Sequence, residues 1–328
     1  MNQNLVPTKH QVNQTFKLPD VPDSVVVLGY SPNDNEQVPS TDNDYVLRRS
    51  LLREVTAFLT QPFADAFYIS GPTGSGKTSG ITEILGRLNW PCQQVTAHGR
   101  LELADLIGHY KLVSTSKGEA PTMKFCYGVL PIAMKYGHVL LINEIDFADP
   151  AEISGLNDII EGRPLVITET GGEVIQPHPM FRLIATGNSF GSGDESGMYQ
   201  GVMVQNIAFM DRFRVTKVSY MEELAERVVL EKKVPRLPEV VRVKMIEVAN
   251  AIRAQFLGES DQGIGTLATT MSTRTLCRWA GLTWSNRQNP SPLEYALDLA
   301  LTNRVNESER IAIHKIATGI FGDQWTSI

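Results

Sequence analysis

The sequence predicts an α/β fold in which a core built on a five-stranded parallel sheet is followed by a helical subdomain. Three observations carry that expectation. A short apolar run, Phe67 to Ile69, passes through a glycine-rich loop, Gly71 to Thr78, into a helical pattern. A second run, HVLLINEID from His138 to Asp146, has consecutive apolar residues ending in acidic side chains. That is the pattern of a strand buried on both faces, with polar groups at its carboxyl end. From Ser219 onward the period turns helical and stays so. Residues 1–42 then form an N-terminal arm, 43–218 the core, and 219–328 the helical subdomain.

The loop reads Gly71, four residues, Gly76, Lys77, Thr78, which is the spacing of a phosphate loop. Its residues Gly71, Pro72, Thr73, Gly74, Ser75 and Gly76 curl so that backbone N–H groups point into one concavity. The positive end of the following helix adds to their field. Lys77 is placed to reach the outer phosphates as a point charge, and the Thr78 hydroxyl to join the shell of a magnesium ion. A nucleoside triphosphate is the expected ligand.

Along the chain, the arm is rich in Asn, Gln, Pro and Ser and carries one strand pattern at Ser24 to Leu28. Asn43 to Gln61 reads as helical from Val46 onward. Tyr45 and Val46 are candidates for the seat of the nucleotide base, or else core residues of that helix. Strands are expected at Gln93–Ala97, Phe181–Thr186 and Phe213–Val218. Between His98 and Gly137 two short extended pieces around a polar tip suggest a hairpin, then a helix begun at Pro131. A second hairpin flanks Thr170, Gly171 and Gly172. The loop Gly191–Gly201 sets Met198 and Tyr199 among small residues. In the helical part, Ser219 with Glu222 reads as a capping box, Ser272 or Thr273 as an N-cap, and Pro292 as a first helical residue.

At the carboxyl end of the acidic strand, Glu144 is placed to orient or deprotonate a water attacking the terminal phosphate. Asn188, at the tip of a neighbouring strand, is placed to position that water. Position 143 is Asn, where an aspartate usually helps to hold magnesium. A unit charge about 4 Å from a divalent ion is worth roughly 8 kcal/mol gross at an effective dielectric of about 20, and desolvation offsets most of it. Asn143 still offers a carbonyl oxygen, so weaker magnesium binding or slower turnover is expected, with triphosphate binding retained.

A formal charge of −6 and a pI near 5.6 leave no electrostatic footprint for nucleic acid. Arg48, Arg49 and Arg53 read as a solvated helix face. Cys92, Cys126 and Cys277 share no metal-ligand spacing and fit a reducing, cytoplasmic compartment. No signal pattern and no membrane-spanning run is present in the sequence.

These features together resemble the AAA+ ATPases, and within them the MoxR branch and its CobS-like cobaltochelatase ATPase type. The segments carrying the resemblance are GPTGSGKT, LNWPC at 88–92, DLIG at 105–108, FCYGVLP, NEID, HPMFRLIATGN at 178–188, GSGDESGMYQG and FMDRF at 209–213. It implies a sheet order of 5-1-4-3-2, a helical lid, ATP and Mg2+ as cofactors, and Thr78 and Asn143 at the metal. Asn188 looks like the sensor 1 residue, Arg212 like the finger reaching a neighbouring subunit's nucleotide, and Arg274 like the sensor 2 arginine. Arg214 is a weaker candidate for the finger. A finger acting in trans implies a closed homo-oligomeric ring, usually of six subunits. The hairpins near 103–125 and 164–177 resemble insertions that face the pore or partners. The implied function is ATP hydrolysis coupled to remodelling of a partner protein bearing a von Willebrand factor A domain. Two alternatives stay open: a DNA-associated motor or loader, and a scaffold that binds ATP and hydrolyses it slowly.

Overall fold

The computed structural model describes residues 5–114, 121–193, 199–258 and 267–326. The first hairpin's tip at 115–120, Met198 in the segment 194–198, and the connection 259–266 lie outside the described residues. In chain order the strands are β1 (Pro7–Gln11), β2 (Val26–Tyr30), β3 (Ala66–Ser70), β4 (Cys92–Thr96), β5 (Gly108–Val113), β6 (Thr122–Tyr127), β7 (Val139–Asn143), β8 (Leu165–Ile167), β9 (Glu173–Ile175), β10 (Arg182–Gly187) and β11 (Phe213–Lys217). Two compact units divide the chain. One comprises 1–42, 47–71 and 77–218, the other 43–46, 72–76 and 219–328.

In the first unit five parallel strands form one sheet in the order β11, β3, β10, β7, β4. Numbered by position among the core strands, this is 5-1-4-3-2, the order the family resemblance implies. Each central strand sends alternate side chains to opposite faces. Tyr68, Leu140, Ile142, Leu183 and Ala185 join one apolar cluster. Phe67, Ile69, Val139, Leu141 and Ile184 join another. Burial on both faces is why these strands read in the sequence as unbroken apolar runs rather than alternating ones.

The arm belongs to the second of these clusters. β1 pairs antiparallel with β2, and Val12, Phe16, Val27 and Tyr30 pack with Leu52, Val55 and Phe58 of the helix Arg49–Thr60. Tyr30 is fully buried, stands edge-on to Trp90, and donates its hydroxyl to the Gly137 carbonyl at 3.0 Å. Replacing it with Ala removes an aromatic ring and a buried hydrogen bond together. Tyr30→Ala is expected to cost about 3–5 kcal/mol in urea unfolding; a loss below about 1 kcal/mol would make the arm peripheral to the core.

Two antiparallel hairpins rise from the core. β5–β6 sets Leu112 opposite Met123, and β8–β9 sets Val166 opposite Val174. Tyr110 donates to the Glu169 carbonyl and Tyr127 to the Glu173 carboxylate, so the hairpins are tied together.

The second unit is held by an apolar cluster including Met245, Ile252, Leu276, Trp279 and Phe321. Its buried polar centre is the ion pair of Glu226 and Arg253, whose guanidinium donates to both carboxylate oxygens at 2.7 and 2.8 Å. Arg253 also donates to the Met271 carbonyl at 2.7 Å, and Thr273 donates to Glu226 at 2.6 Å, which fixes the start of the helix Thr273–Ser285.

The expected strands are shifted by one or two residues at their ends, and three helix starts differ from expectation. The helix expected from Val46 starts at Arg49, because Arg48 is extended and supplies no side-chain cap. The helix expected after Ser219 runs over Glu223–Lys233, with Glu222 at the N-cap position and no side-chain cap bond. The helix expected at Pro131 starts at Val129, two residues earlier. At the helix Thr273–Ser285 the cap is Ser272, accepting from the Thr275 N–H at 3.1 Å.

Candidate active site

At the carboxyl end of β3 the chain enters the phosphate loop, where Gly74 and Gly76 hold φ of 70° and 85°. Side chains rarely adopt that region, which is why glycine stands at both positions. The helix Lys77–Arg87 follows directly. Lys77 is buried, and its ammonium donates to the Gly71 carbonyl at 2.5 Å and to Asn188 Oδ1 at 3.1 Å. Burial pushes the Lys77 pKa down to about 8, opposed by the carboxylates of Asp146 and Glu144. A phosphate chain would add to that opposition and favour the charged form.

Thr78 and Asn143 meet across the site. The Thr78 hydroxyl donates to Asn143 Oδ1 at 2.7 Å, and Thr186 donates to the same oxygen at 3.4 Å. Asn143 is 5% exposed at the last position of β7. Glu144, the next residue, is exposed and holds left-handed geometry at φ 54°, ψ 41°, its N–H donating to Thr186 Oγ1 at 3.2 Å. A non-glycine residue in that region stores of order 1–3 kcal/mol of strain. Its effect here is to turn the chain so that the side chain leaves the strand end into solvent.

Asp146 is the site residue that sequence reasoning passed over. The one-turn 3-10 helix Ile145–Phe147 brings it back inward, fully buried. Its Oδ2 accepts the N–H groups of Asn188 at 2.7 Å and Ser189 at 3.1 Å. Its Oδ1 is buried and has no hydrogen-bond partner among the described residues. The signal available in the sequence was an acidic residue three positions beyond the strand end. Lys77, Thr78, Asn143 and Asn188 are thus brought together, with Glu144 at the same strand end.

The arginines lie elsewhere. Arg212 is at the amino end of the sheet, where its carbonyl accepts from the Ala66 N–H. The length of β3, about 13 Å at roughly 3.3 Å per residue, separates that end from the phosphate loop. Its guanidinium pairs with Glu161 at 2.7 Å and donates to the Ala208 carbonyl. Arg163 takes the other Glu161 oxygen at 2.9 Å. Arg214 pairs with Asp65 at 3.0 Å and lies over the Phe58 and Phe63 rings, a structural role. In the second unit Arg274 is exposed in the first turn of the helix Thr273–Ser285. Ser272, just before it, lies so close to Gly74 that a Cβ on Gly74 would stand 2.3 Å from the Ser272 Cβ. Tyr45 and Val46 are half-buried residues of the same unit, outside any helix.

A parallel sheet in this order, with a lysine, a hydroxyl, an amide and a strand-tip asparagine at its carboxyl edge, defines a phosphate-loop nucleotide-binding protein. Residues 66–213 match the AAA domain (dynein-related subfamily), and residues 226–320 the CbbQ/NirQ/NorQ C-terminal domain. The chain is 31% identical to the aerobic cobaltochelatase subunit CobS of Sinorhizobium sp over 97% of its own length and 92% of that protein. It belongs to the AAA+ ATPases, in the MoxR-like, CobS-related family. An uncharacterized protein of Staphylococcus haemolyticus is 32% identical over 47% of this chain and 55% of its own. Among solved structures, a RuvB variant of Thermotoga maritima aligns at 15% identity over 80% of this chain and 73% of its own, with a TM-score of 0.47.

Proposed function

We propose that this chain is the motor subunit of a homo-oligomeric ring, probing and remodelling a partner protein through ATP binding and hydrolysis. The observation that carries the reading is the convergence of Lys77, Thr78, Asn143 and Asn188 at one edge of the sheet. Lys77 and the loop residues hold the phosphates, Glu144 orients and deprotonates the attacking water, and Asn188 positions it. The position of Arg212 at the sheet's other end supports a role in trans, on the neighbouring subunit's nucleotide. Six subunits is the arrangement we favour. We assign residues 219–328 the role of a lid, Arg274 that of its sensor 2 arginine, and Tyr45 and Val46 that of the seat of the base.

Magnesium fits this donor set. Thr78 Oγ1 and Asn143 Oδ1 are two hard oxygen donors 2.7 Å apart, and Mg2+ is usually held by few protein ligands with phosphates and waters completing its shell. When bound, it neutralises charge on the phosphate oxygens.

Leu112, Met123, Val166 and Val174 on the two tied hairpins are all more than half exposed. Apolar side chains displayed this way support a docking role for the hairpins, and CobS kinship supports a chelatase-type partner; that this partner bears a von Willebrand factor A domain is proposed from the sequence resemblance. No helix among the described residues is long and apolar enough to cross a membrane. Free Cys92, Cys126 and Cys277 support a cytoplasmic setting.

The amide at 143 favours one second reading, a ring that binds ATP and turns it over slowly. Both readings are tested by titrating magnesium into ATP turnover for the wild type and Asn143→Asp. The expected result is measurable wild-type turnover, with Asn143→Asp reaching half-maximal rate at several-fold less magnesium. Wild-type turnover no faster than that of Glu144→Gln would leave the scaffold. An unchanged magnesium dependence would remove Asn143 from the metal.

A further inference from the structure

Asp146 is a fully buried carboxylate that hydrogen bonds among the described residues satisfy on one oxygen only, with the Lys77 ammonium as its nearby opposite charge. A fully buried carboxylate is costly unless its oxygens are satisfied, yet only Oδ2 is engaged. Two backbone N–H groups could be satisfied by a neutral oxygen without the desolvation of a charge. The groups that carboxylate holds are those of Asn188 and Ser189, in the turn that leaves β10. The Asn188 side chain in turn meets the Lys77 ammonium at 3.1 Å. Tyr68 closes the turn from the other side by donating to the Ser189 carbonyl at 2.8 Å. The chain therefore runs from the carboxylate through two amides to the amide side chain at the site.

We propose that Asp146 is a positioning residue for hydrolysis: by gripping the Asn188 and Ser189 amides it aims the Asn188 side chain into the phosphate site. The carboxylate is retained because charge-assisted bonds are shorter and roughly twice as strong as neutral ones, which holds the turn in one geometry. It stands as a buried acidic residue one 3-10 turn beyond the strand end at Asn143. The proposal rests on the hydrolytic reading of the site, and the measurements below separate the two.

The test is a double-mutant cycle between Asp146→Asn and Asn188→Ala, read as ATP turnover and as hydrogen exchange across 186–190. Asp146→Asn is expected to lower kcat about tenfold while ATP affinity stays within about threefold, because the phosphate loop is untouched and a bound phosphate chain takes over from Asp146 in keeping Lys77 charged. In the Asn188→Ala background the same substitution should change kcat less than about twofold, since its effect runs through Asn188. Exchange at 188 and 189 should speed up in Asp146→Asn. Asp146→Ser, whose shorter hydroxyl withdraws the acceptor from both amides, is measured beside it in case the first variant is unstable. Additive losses in the two backgrounds, or unchanged exchange at 188 and 189, would overturn the proposal. Failure of the hydrolytic reading would appear instead as absent turnover in the wild type, and the exchange result would still decide whether Asp146 holds the turn.

Discussion

Glu144→Gln protein is expected to bind ATP as tightly as the wild type and to hydrolyse it at least about a hundredfold more slowly. General bases contribute typically about 10²- to 10⁴-fold to a rate. Asp146 is buried and committed to two amides. Gln is isosteric with Glu, and the left-handed backbone at position 144 is no harder for one than for the other. The backbone bond to Thr186 does not involve the side chain. Folding is therefore expected to be unchanged, and the loss to fall on kcat alone. Phosphate release measured beside binding of a fluorescent ATP analogue separates the two quantities. A variant retaining more than about a third of wild-type turnover would take the base role away from Glu144.

Arg212→Ala is expected to lower turnover about 10³-fold or more, the range attributed to arginine fingers. ATP affinity should change little. In its own subunit Arg212 is held at the amino end of the sheet by Glu161 and cannot serve the phosphate loop at the other end. The substitution does not strand Glu161, because Arg163 stays on its second oxygen. At about 30% exposure for both partners, the loss of this pair should cost under about 1 kcal/mol of stability. A large fall in rate without a fall in melting temperature therefore points to the neighbouring site. A variant as active as the wild type would remove the finger.

How much of this was legible beforehand follows from what stabilises each part. The central strands were readable because burial on both faces demands uninterrupted apolar residues, as in Val139–Ile142. The phosphate loop was readable because Gly74 and Gly76 need left-handed geometry and Lys77 needs to follow at once. β1, with sequence Pro7–Gln11, was invisible: it is polar with no residue fully buried, and its order comes from backbone pairing with β2. Tyr30 gave no sign of its burial, since its partners Trp90 and Gly137 are distant in sequence. Asn188 was found from its place at a strand tip, whereas Asp146 was not, because its role depends on a 3-10 turn that no periodicity announces. The pairing of Arg212 with Glu161 joins residues 51 positions apart, and a single sequence carries no trace of that.

The central claim is that each site is completed by a second copy of the chain, and complementation between two inactive variants measures it most directly. Lys77→Ala protein lacks a working site but keeps its Arg212, and Arg212→Ala protein keeps its site but lacks the finger. Mixed in equal amounts and allowed to reassemble, they are expected to recover ATP turnover well above the sum of the two alone, because some sites then pair an intact phosphate loop with an intact Arg212. Turnover equal to that sum, in a mixture shown to have exchanged subunits, would contradict a site shared between neighbours.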